Sequence, residues 1–192
     1  APVRREIKSL GFRSKVLCGA LHGTLWNPLS GARLDTISKA GVKCAWGDAR
    51  QWRCVELVTA VLHDPHQISA TAAMYFKNLM DLRRVVNKSP PRLHALISDI
   101  AARTVGSAVK HVPGPAHSLI RIASAMGLTL RVLSGKKRIL LKTSVGMQID
   151  LLNQSRGYVQ KQIIECLRQF TLAKFIGSNN AYQQKHGKPR RK

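Results

Sequence analysis

The sequence predicts a mainly α-helical protein, with about seven helices, one small β-hairpin near residues 128–143 and extended basic termini. Along most of the 192-residue chain, apolar side chains recur every three or four residues, which is the spacing of one face of an α-helix. Between residues 128 and 143, two β-prone runs replace this pattern. They cover residues 128–133 and 139–143 and flank a glycine-containing loop of hairpin length.

Four helices are predicted in an N-terminal half that spans residues 1–88. In the first of them, an apolar face lies opposite a basic face, as expected of a helix that packs against a core. The residues predicted to point inward from this helix are Ile7, Leu10, Val16, Leu17, Ala20 and Leu21. The four helices are predicted at residues 3–22, 32–44, 52–62 and 69–87.

A Ser-Pro-Pro sequence at residues 89–91 is the strongest break in the chain. It predicts a hinge that leads into a C-terminal helical half, residues 91–176, which also contains the hairpin. Two helices are predicted before the hairpin, at residues 91–110 and 116–126. The second is expected to end at Gly127, a glycine in the position that closes many helices.

The region after the hairpin is less clearly patterned. The pattern of residues 145–152 is ambiguous. Asn153 or Ser155 is expected to cap a last helix that runs to about residue 175. No acidic residue follows Glu165, and residues 177–192 are predicted to form an extended basic tail.

The chain carries 32 Lys and Arg residues against 9 Asp and Glu residues, a formal net charge of +23 with His neutral. Such an excess destabilises a compact monomer by self-repulsion, and solubility is already reached at a net charge of about 2–8. We therefore expect an anionic partner. Because the cations are spread along the whole chain, the phosphate backbone of a nucleic acid is favoured over a basic amphipathic helix on an anionic bilayer. No apolar run approaches the ~18 residues of a spanning helix, so no membrane partner is predicted.

Four basic clusters are the predicted RNA-binding sites: the N-terminus, the end of the fourth helix, the hairpin tip and the C-terminal tail. Aromatic residues make up only 5% of the chain, too few for a base-stacking platform. The clusters are therefore expected to contact phosphates and RNA shape rather than base sequence. Their residues are Arg4, Arg5, Lys8, Arg83, Arg84, Lys136, Lys137, Arg138, Lys188, Arg190, Arg191 and Lys192.

The sequence predicts no enzyme, no metal site and no cofactor. The acidic residues are scattered singly, each beside a cation or at a turn or cap, and no nucleophile or phosphate-loop motif is present. Cys54, His63 and His66 lie near one another in sequence. However, there is no Cys-x-x-Cys pair, and Pro65 fixes a turn between the two histidines, so the spacing does not match a zinc module.

Two segments of the chain resemble a known family. The first, residues 8–62, contains Gly11-Phe12-Arg13, Ala20-Leu21-His22-Gly23 and Trp52-Arg53-Cys54-Val55-Glu56. It is similar to the region after the polymerase palm in protist non-long-terminal-repeat retroelement reverse transcriptases. The second contains Pro113-Gly114-Pro115-Ala116, the hairpin and Asp150-Leu151-Leu152, and it resembles the stretch between thumb and ribonuclease H in the same proteins.

The resemblance covers about residues 8–170, and its motifs are degenerate. The catalytic Asp-Asp strand motif of the polymerase family is missing, so no catalytic residue carries over. The resemblance therefore implies a helical nucleic-acid-binding remnant without polymerase activity, of a kind that can be recruited as a scaffold.

The expected function is a structural RNA-binding protein of a large ribonucleoprotein, and the particle we expect is an organellar (mitochondrial) ribosome. In it the chain would contact rRNA phosphates and neighbouring proteins. Because the sequence begins at Ala1 rather than Met, we expect either that a leader was removed on import into the organelle or that the true start of the chain lies outside this sequence. The alternative is a non-catalytic thumb or connection part of a retroelement-type reverse transcriptase, which requires a longer parent chain. A DNA-compacting protein is the third hypothesis.

Overall fold

The structure is a computed structural model that describes residues 4–46, 64–88, 114–133, 138–143 and 146–186, together with the isolated helical positions 92, 95, 96 and 99. Several predictions fall elsewhere in the chain. The helix at 52–62, most of the helix at 91–110, the hinge at 89–91, the hairpin tip at 134–137 and the last residues, 187–192, lie outside the described residues.

Six helices and three strands are present in the described residues. The first helix, α1, passes through an α-helical segment (Arg5–Gly11), a π-helical segment (Phe12–Leu17) and a final turn (Cys18–Ala20). The other helices are α2 (Gly31–Trp46), α3 (Pro65–Ile68), α4 (Ala70–Lys88), α5 (Pro115–Ala125) and α6 (Arg156–His186). The strands are β1 (Thr129–Leu133), β2 (Arg138–Lys142) and β3 (Gln148–Asp150). The prediction of a mainly α protein with a small hairpin is confirmed.

The buried face of α1 differs in part from the prediction. Leu17 and Leu21 are buried as predicted, but Ile7 and Leu10 are each 58% exposed, Val16 is 44% exposed, and Phe12 is buried instead. The reason is the π-helical segment, in which the N–H of Cys18 bonds to the carbonyl of Arg13, five residues back. Each residue of this wider helix turns by a smaller angle, so the residues before the segment are rotated away from the face that the later residues bury.

The strands form an antiparallel sheet in the order β1-β2-β3. Its third strand arises from the region whose pattern was unclear. Ile139 and Leu141 of β2 and Ile149 of β3 are buried on one face. The sheet begins directly after α5, because Gly127 adopts a φ of 65° and reverses the chain there. The N–H of Leu128 bonds to the carbonyl of Ala123 at 2.8 Å, as in a Schellman motif, so the predicted closing glycine is confirmed.

The main hydrophobic core takes residues from both predicted halves of the chain. Its N-terminal members lie mostly on α4, and its C-terminal members lie on α5, the sheet and α6. They include Leu79, Leu82, Val86, Leu119, Ile122, Ile139, Leu141, Ile149, Val159, Ile163 and Leu167. A second, smaller cluster joins α1 to α2 and α4 through Phe12, Leu17, Leu21, Leu34 and Met74. Residues on either side of the predicted hinge therefore share one core.

The last helix, α6, is longer than predicted. Ser155 is its N-terminal cap, since its Oγ accepts a hydrogen bond from the N–H of Tyr158 at 3.3 Å. The side chains of α6 are buried at intervals as far as Thr171, and Leu172 and Ile176 are exposed. Residues 177–186, predicted to be extended, are helical. No proline occurs between the start of α6 and Pro189, so the helix can continue through this stretch.

Candidate nucleic-acid interface

The connection between β3 and α6 is held by Asp150. Its carboxylate accepts hydrogen bonds from the N–H groups of Leu152 and Asn153, both at 3.1 Å, and from Arg138 Nε at 2.9 Å. Burial raises the pKa of Asp150, but the hydrogen bonds from Asn153, Leu152 and Arg138 outweigh it and hold the pKa below its ordinary value. Arg138, one of the predicted RNA-binding residues, thus contributes to the fold while its side chain remains half exposed.

Arg83 holds the same connection from the side of α4. Its guanidinium donates to the carbonyl oxygen of Leu151 and, at 2.7 Å, to that of Gln154. Because both carbonyls belong to the connection before α6, Arg83 ties this connection to α4. Two of the predicted RNA-binding arginines therefore hold one short segment of the chain.

Helix α4 presents a charged stripe to solvent. Lys77, Asp81, Arg84 and Lys88 follow one another at intervals of three or four residues, which places them on one face. Asp81 pairs with Lys77 and, at 3.6 Å, with Arg84. The side chain of Arg84 is 68% exposed. One carboxylate is therefore shared between two cations, and the stripe remains positive.

A groove lies between this stripe and the neighbouring helices. It encloses about 230 Å³ and is lined by residues of α1, α3, α4 and α6. Its charged or polar lining residues are Arg13, His66, Lys77, Asp81, Arg156 and Gln160. We call this cavity the α1–α4–α6 groove. Among the described residues, Arg13 and Arg156 form no ion pair, so both guanidinium groups can bind an anion.

His66 is the buried polar residue of this groove, with an exposure of 5%. Its ring stacks on Phe76, with centroids 4.6 Å apart and planes inclined by 29°. Burial, and then the charge of Arg13, lowers the pKa of His66 to about 4, so the ring is neutral at pH 7. Nδ1 of His66 is the one fully buried side-chain nitrogen or oxygen in the described part of the chain that has no hydrogen-bond partner.

The structure brings together only part of the predicted RNA-binding set. Arg4 is exposed just before α1, Lys8 is half buried one turn further on, and only the backbone of Arg5 is described. Arg84 is exposed beside the groove, whereas Arg83 points to the β3–α6 connection. The remaining predicted residues lie outside the described ranges, namely Lys136, Lys137, Lys188, Arg190, Arg191 and Lys192.

Sequence reasoning did not select Arg13, Lys77 or Arg156. One signal was available for Lys77, since it lies on the same helical face as Arg84 in a segment that was predicted as a helix. Nothing in the sequence indicates that Arg13 and Arg156, far apart in the chain, line the same cavity.

Within the residues that the structure describes, no three His, Cys, Asp or Glu side chains are grouped as metal ligands, and Cys54 and His63 lie outside them. None of the described helices combines the length and the apolar character needed to cross a membrane. No protein-family model matches the chain, and no curated protein or solved structure matches it significantly.

Proposed function

We propose that this chain is a structural RNA-binding protein of a large ribonucleoprotein. The observation that carries the proposal is the charge balance. With 32 basic and 9 acidic residues, one-to-one pairing within the chain leaves 32 − 9 = 23 cations without an acidic partner. RNA supplies the required counter-charge as a continuous row of phosphates, and the counterions released on binding favour the complex.

The cations of the α1–α4–α6 groove support this proposal. Arg13, Lys77 and Arg156 line the groove with Asp81, and Arg84 pairs with Asp81 beside it, so four basic side chains accompany one acidic side chain on this surface. An arginine guanidinium can donate two parallel hydrogen bonds to a phosphate. The surface therefore suits binding to the RNA backbone, which carries no information about base sequence.

The exposed C-terminal part of helix α6 also supports the proposal. Its described side chains are exposed after Thr171, apart from the half-buried Phe175, and they include Lys174, Leu172 and Ile176. A helix that continues past the core with both cationic and apolar side chains can insert between RNA and a neighbouring protein. We propose that it contacts both within the particle.

The particle we propose is the mitochondrial ribosome. Sedimentation of the tagged chain with mitochondrial ribosomal subunits, and its release from them by ribonuclease, would support this assignment. Sedimentation of the chain at the top of the gradient in the absence of ribonuclease would contradict it.

The experiment that tests RNA binding compares two doubly substituted variants of equal charge. Arg84→Ala/Arg156→Ala, the groove variant, removes one cation that lines the groove and one that pairs with Asp81 beside it. Arg33→Ala/Lys39→Ala removes two exposed cations of α2. Affinity for a structured RNA is measured as a function of salt concentration. We expect the groove variant to lower the slope of log K against log salt by about 1.4–1.8, which corresponds to two phosphate contacts, and the α2 variant to change it less. Wild-type affinity that does not depend on salt would contradict the proposal.

A further inference from the structure

The α1–α4–α6 groove differs from a simple basic surface because its walls are apolar. It is lined by Leu17 of α1, by Leu21 directly after α1, and by Ala73, Phe76 and Met80 of α4. The charged side chains of Arg13, Lys77 and Arg156 line the same cavity. A ligand that fills the groove must therefore offer an apolar surface and a negative charge within a short distance of each other.

The size of the groove limits this ligand. A volume of about 230 Å³ is smaller than the roughly 300–1,000 Å³ of typical small-molecule sites. A duplex or a folded peptide cannot enter. The cavity admits one planar group or one side chain at a time, while a chain attached to that group can continue along the surface.

The charge of the groove limits the ligand further. Three cationic side chains and one carboxylate line the cavity, a balance of 3 − 1 = +2 that disfavours a cationic ligand. Arg156 is also the first residue of α6, so the positive end of the helix dipole adds to the potential there. An anionic group is favoured next to Arg156.

Two polar groups remain available to a neutral part of the ligand. The Gln160 side chain has an amide that can both donate and accept hydrogen bonds. The neutral His66 ring also lines the cavity, and its Nδ1 is buried without a partner. A buried nitrogen without a hydrogen-bond partner lowers the stability of the fold. A small movement of the ring that allowed Nδ1 to form a hydrogen bond with a ligand would therefore favour binding.

We propose, on the basis of the proposed RNA-binding function, that the α1–α4–α6 groove binds one unpaired nucleotide of RNA. The base lies between the apolar walls from α1 and α4, with its polar edge toward Gln160 and His66. The flanking phosphates lie on Arg13, Lys77 and Arg156. A nucleotide unites these features, since it has apolar ring faces, hydrogen-bonding ring edges and an attached anion.

The test uses the full chain and two RNA hairpins that are identical except that one carries a single bulged nucleotide. The expected result is a preference of at least about fivefold for the bulged hairpin, the lower end of the contribution of one base contact. Two variants leave every cation in place: Ala73→Leu fills the cavity, and Gln160→Leu removes the amide at its edge. Both are expected to abolish the preference while retaining affinity for the fully paired hairpin. Circular dichroism confirms folding, and if Ala73→Leu does not fold, Gln160→Leu decides.

The outcomes separate this inference from the proposed function. Equal affinity of the wild-type chain for the two hairpins overturns the nucleotide site and leaves the RNA-binding function standing. A preference that survives in both folded variants also overturns the inference, because the bulge would then be bound elsewhere. If the wild-type chain binds neither hairpin, the proposed function itself fails.

Discussion

Arg83 and Arg84 are adjacent in sequence but have different surroundings. The guanidinium of Arg83 is bound to two carbonyl oxygens before α6, and that of Arg84 is largely in solvent beside Asp81. The successive residues of a helix point about 100° apart, which places the two side chains on different faces. A basic pair in a sequence can therefore combine one residue that stabilises the fold with one whose exposed side chain is accessible to a partner.

This difference gives a prediction at the residue scale. Arg83→Ala leaves the carbonyls of Leu151 and Gln154 without their donor and is expected to lower the free energy of unfolding by about 1.5–3 kcal/mol. Arg84→Ala is expected to change it by less than about 0.5 kcal/mol, as for most surface substitutions, but to lower the salt dependence of RNA binding. Urea unfolding and RNA titrations of both variants measure these effects. Equal losses of stability would show that Arg83 has no special role.

His66 gives the second prediction, which concerns pH. The pKa of His66 is about 4 in the folded protein, whereas an unperturbed histidine, as in the unfolded chain, has a pKa of 6.5. The unfolded chain therefore binds the proton more tightly. The free energy of unfolding is therefore at its full value above about pH 6.5. It falls as the pH falls toward 4, by up to about 3 kcal/mol for this shift. His66→Phe keeps an aromatic ring against Phe76 and removes the titration. Urea unfolding between pH 7 and pH 4 should show a smaller loss of stability in this variant than in the wild-type chain.

At the scale of the elements, local signals predicted most of the boundaries well. Helices α2, α4 and α5 begin and end within two residues of their predicted bounds, because glycine and proline mark their ends. Part of the buried face of α1 and the length of α6 were not predicted correctly. A π-helical segment has no sequence pattern of its own, and a polar helix beyond the core lacks the apolar periodicity that identifies helices.

The crossing of α1 and α2 is the subject of the third prediction. Gly41 of α2 faces α1 so closely that an added Cβ would lie 2.7 Å from Phe12 Cε1 and 2.9 Å from the carbonyl oxygen of Ile68. The carbonyl belongs to the backbone and cannot turn aside. Gly41→Ala is therefore expected to lower the free energy of unfolding by about 1–3 kcal/mol despite the better helix propensity of alanine.

Gly31, at the start of the same helix, provides the control for Gly41. A Cβ at Gly31 would meet no atom within 4 Å. Gly31→Ala should leave stability unchanged or raise it by up to about 1 kcal/mol. The two variants are compared by their urea midpoints, and a stable Gly41→Ala variant would show that α1 and α2 are packed less tightly than the structure indicates.

For the whole molecule, the composition predicted a basic surface, but it did not predict which of the described cations lie close together. The α1–α4–α6 groove takes its charged side chains from helices that are distant in sequence, and the core that unites them spans the predicted hinge. The position of this groove depends on how the helices pack together, and the apolar periodicity within each helix does not specify that packing. Among the cations that line the groove or lie beside it, Arg84 alone was predicted from the sequence to bind RNA.

The remaining prediction follows from this distribution of charge. If RNA is bound by several separate surfaces, the groove variant Arg84→Ala/Arg156→Ala and the hairpin-tip variant Lys136→Ala/Lys137→Ala should each weaken binding. If the two pairs share no partner, their losses of binding free energy should add, since the effects of independent substitutions are additive. Arg138 is left in place, since its pairing with buried Asp150 would add a loss of stability to the result. The measurement is the affinity of the fourfold variant for one structured RNA. A fourfold variant that binds no more weakly than either double variant would show that the two pairs do not act as separate contacts, which would contradict the prediction.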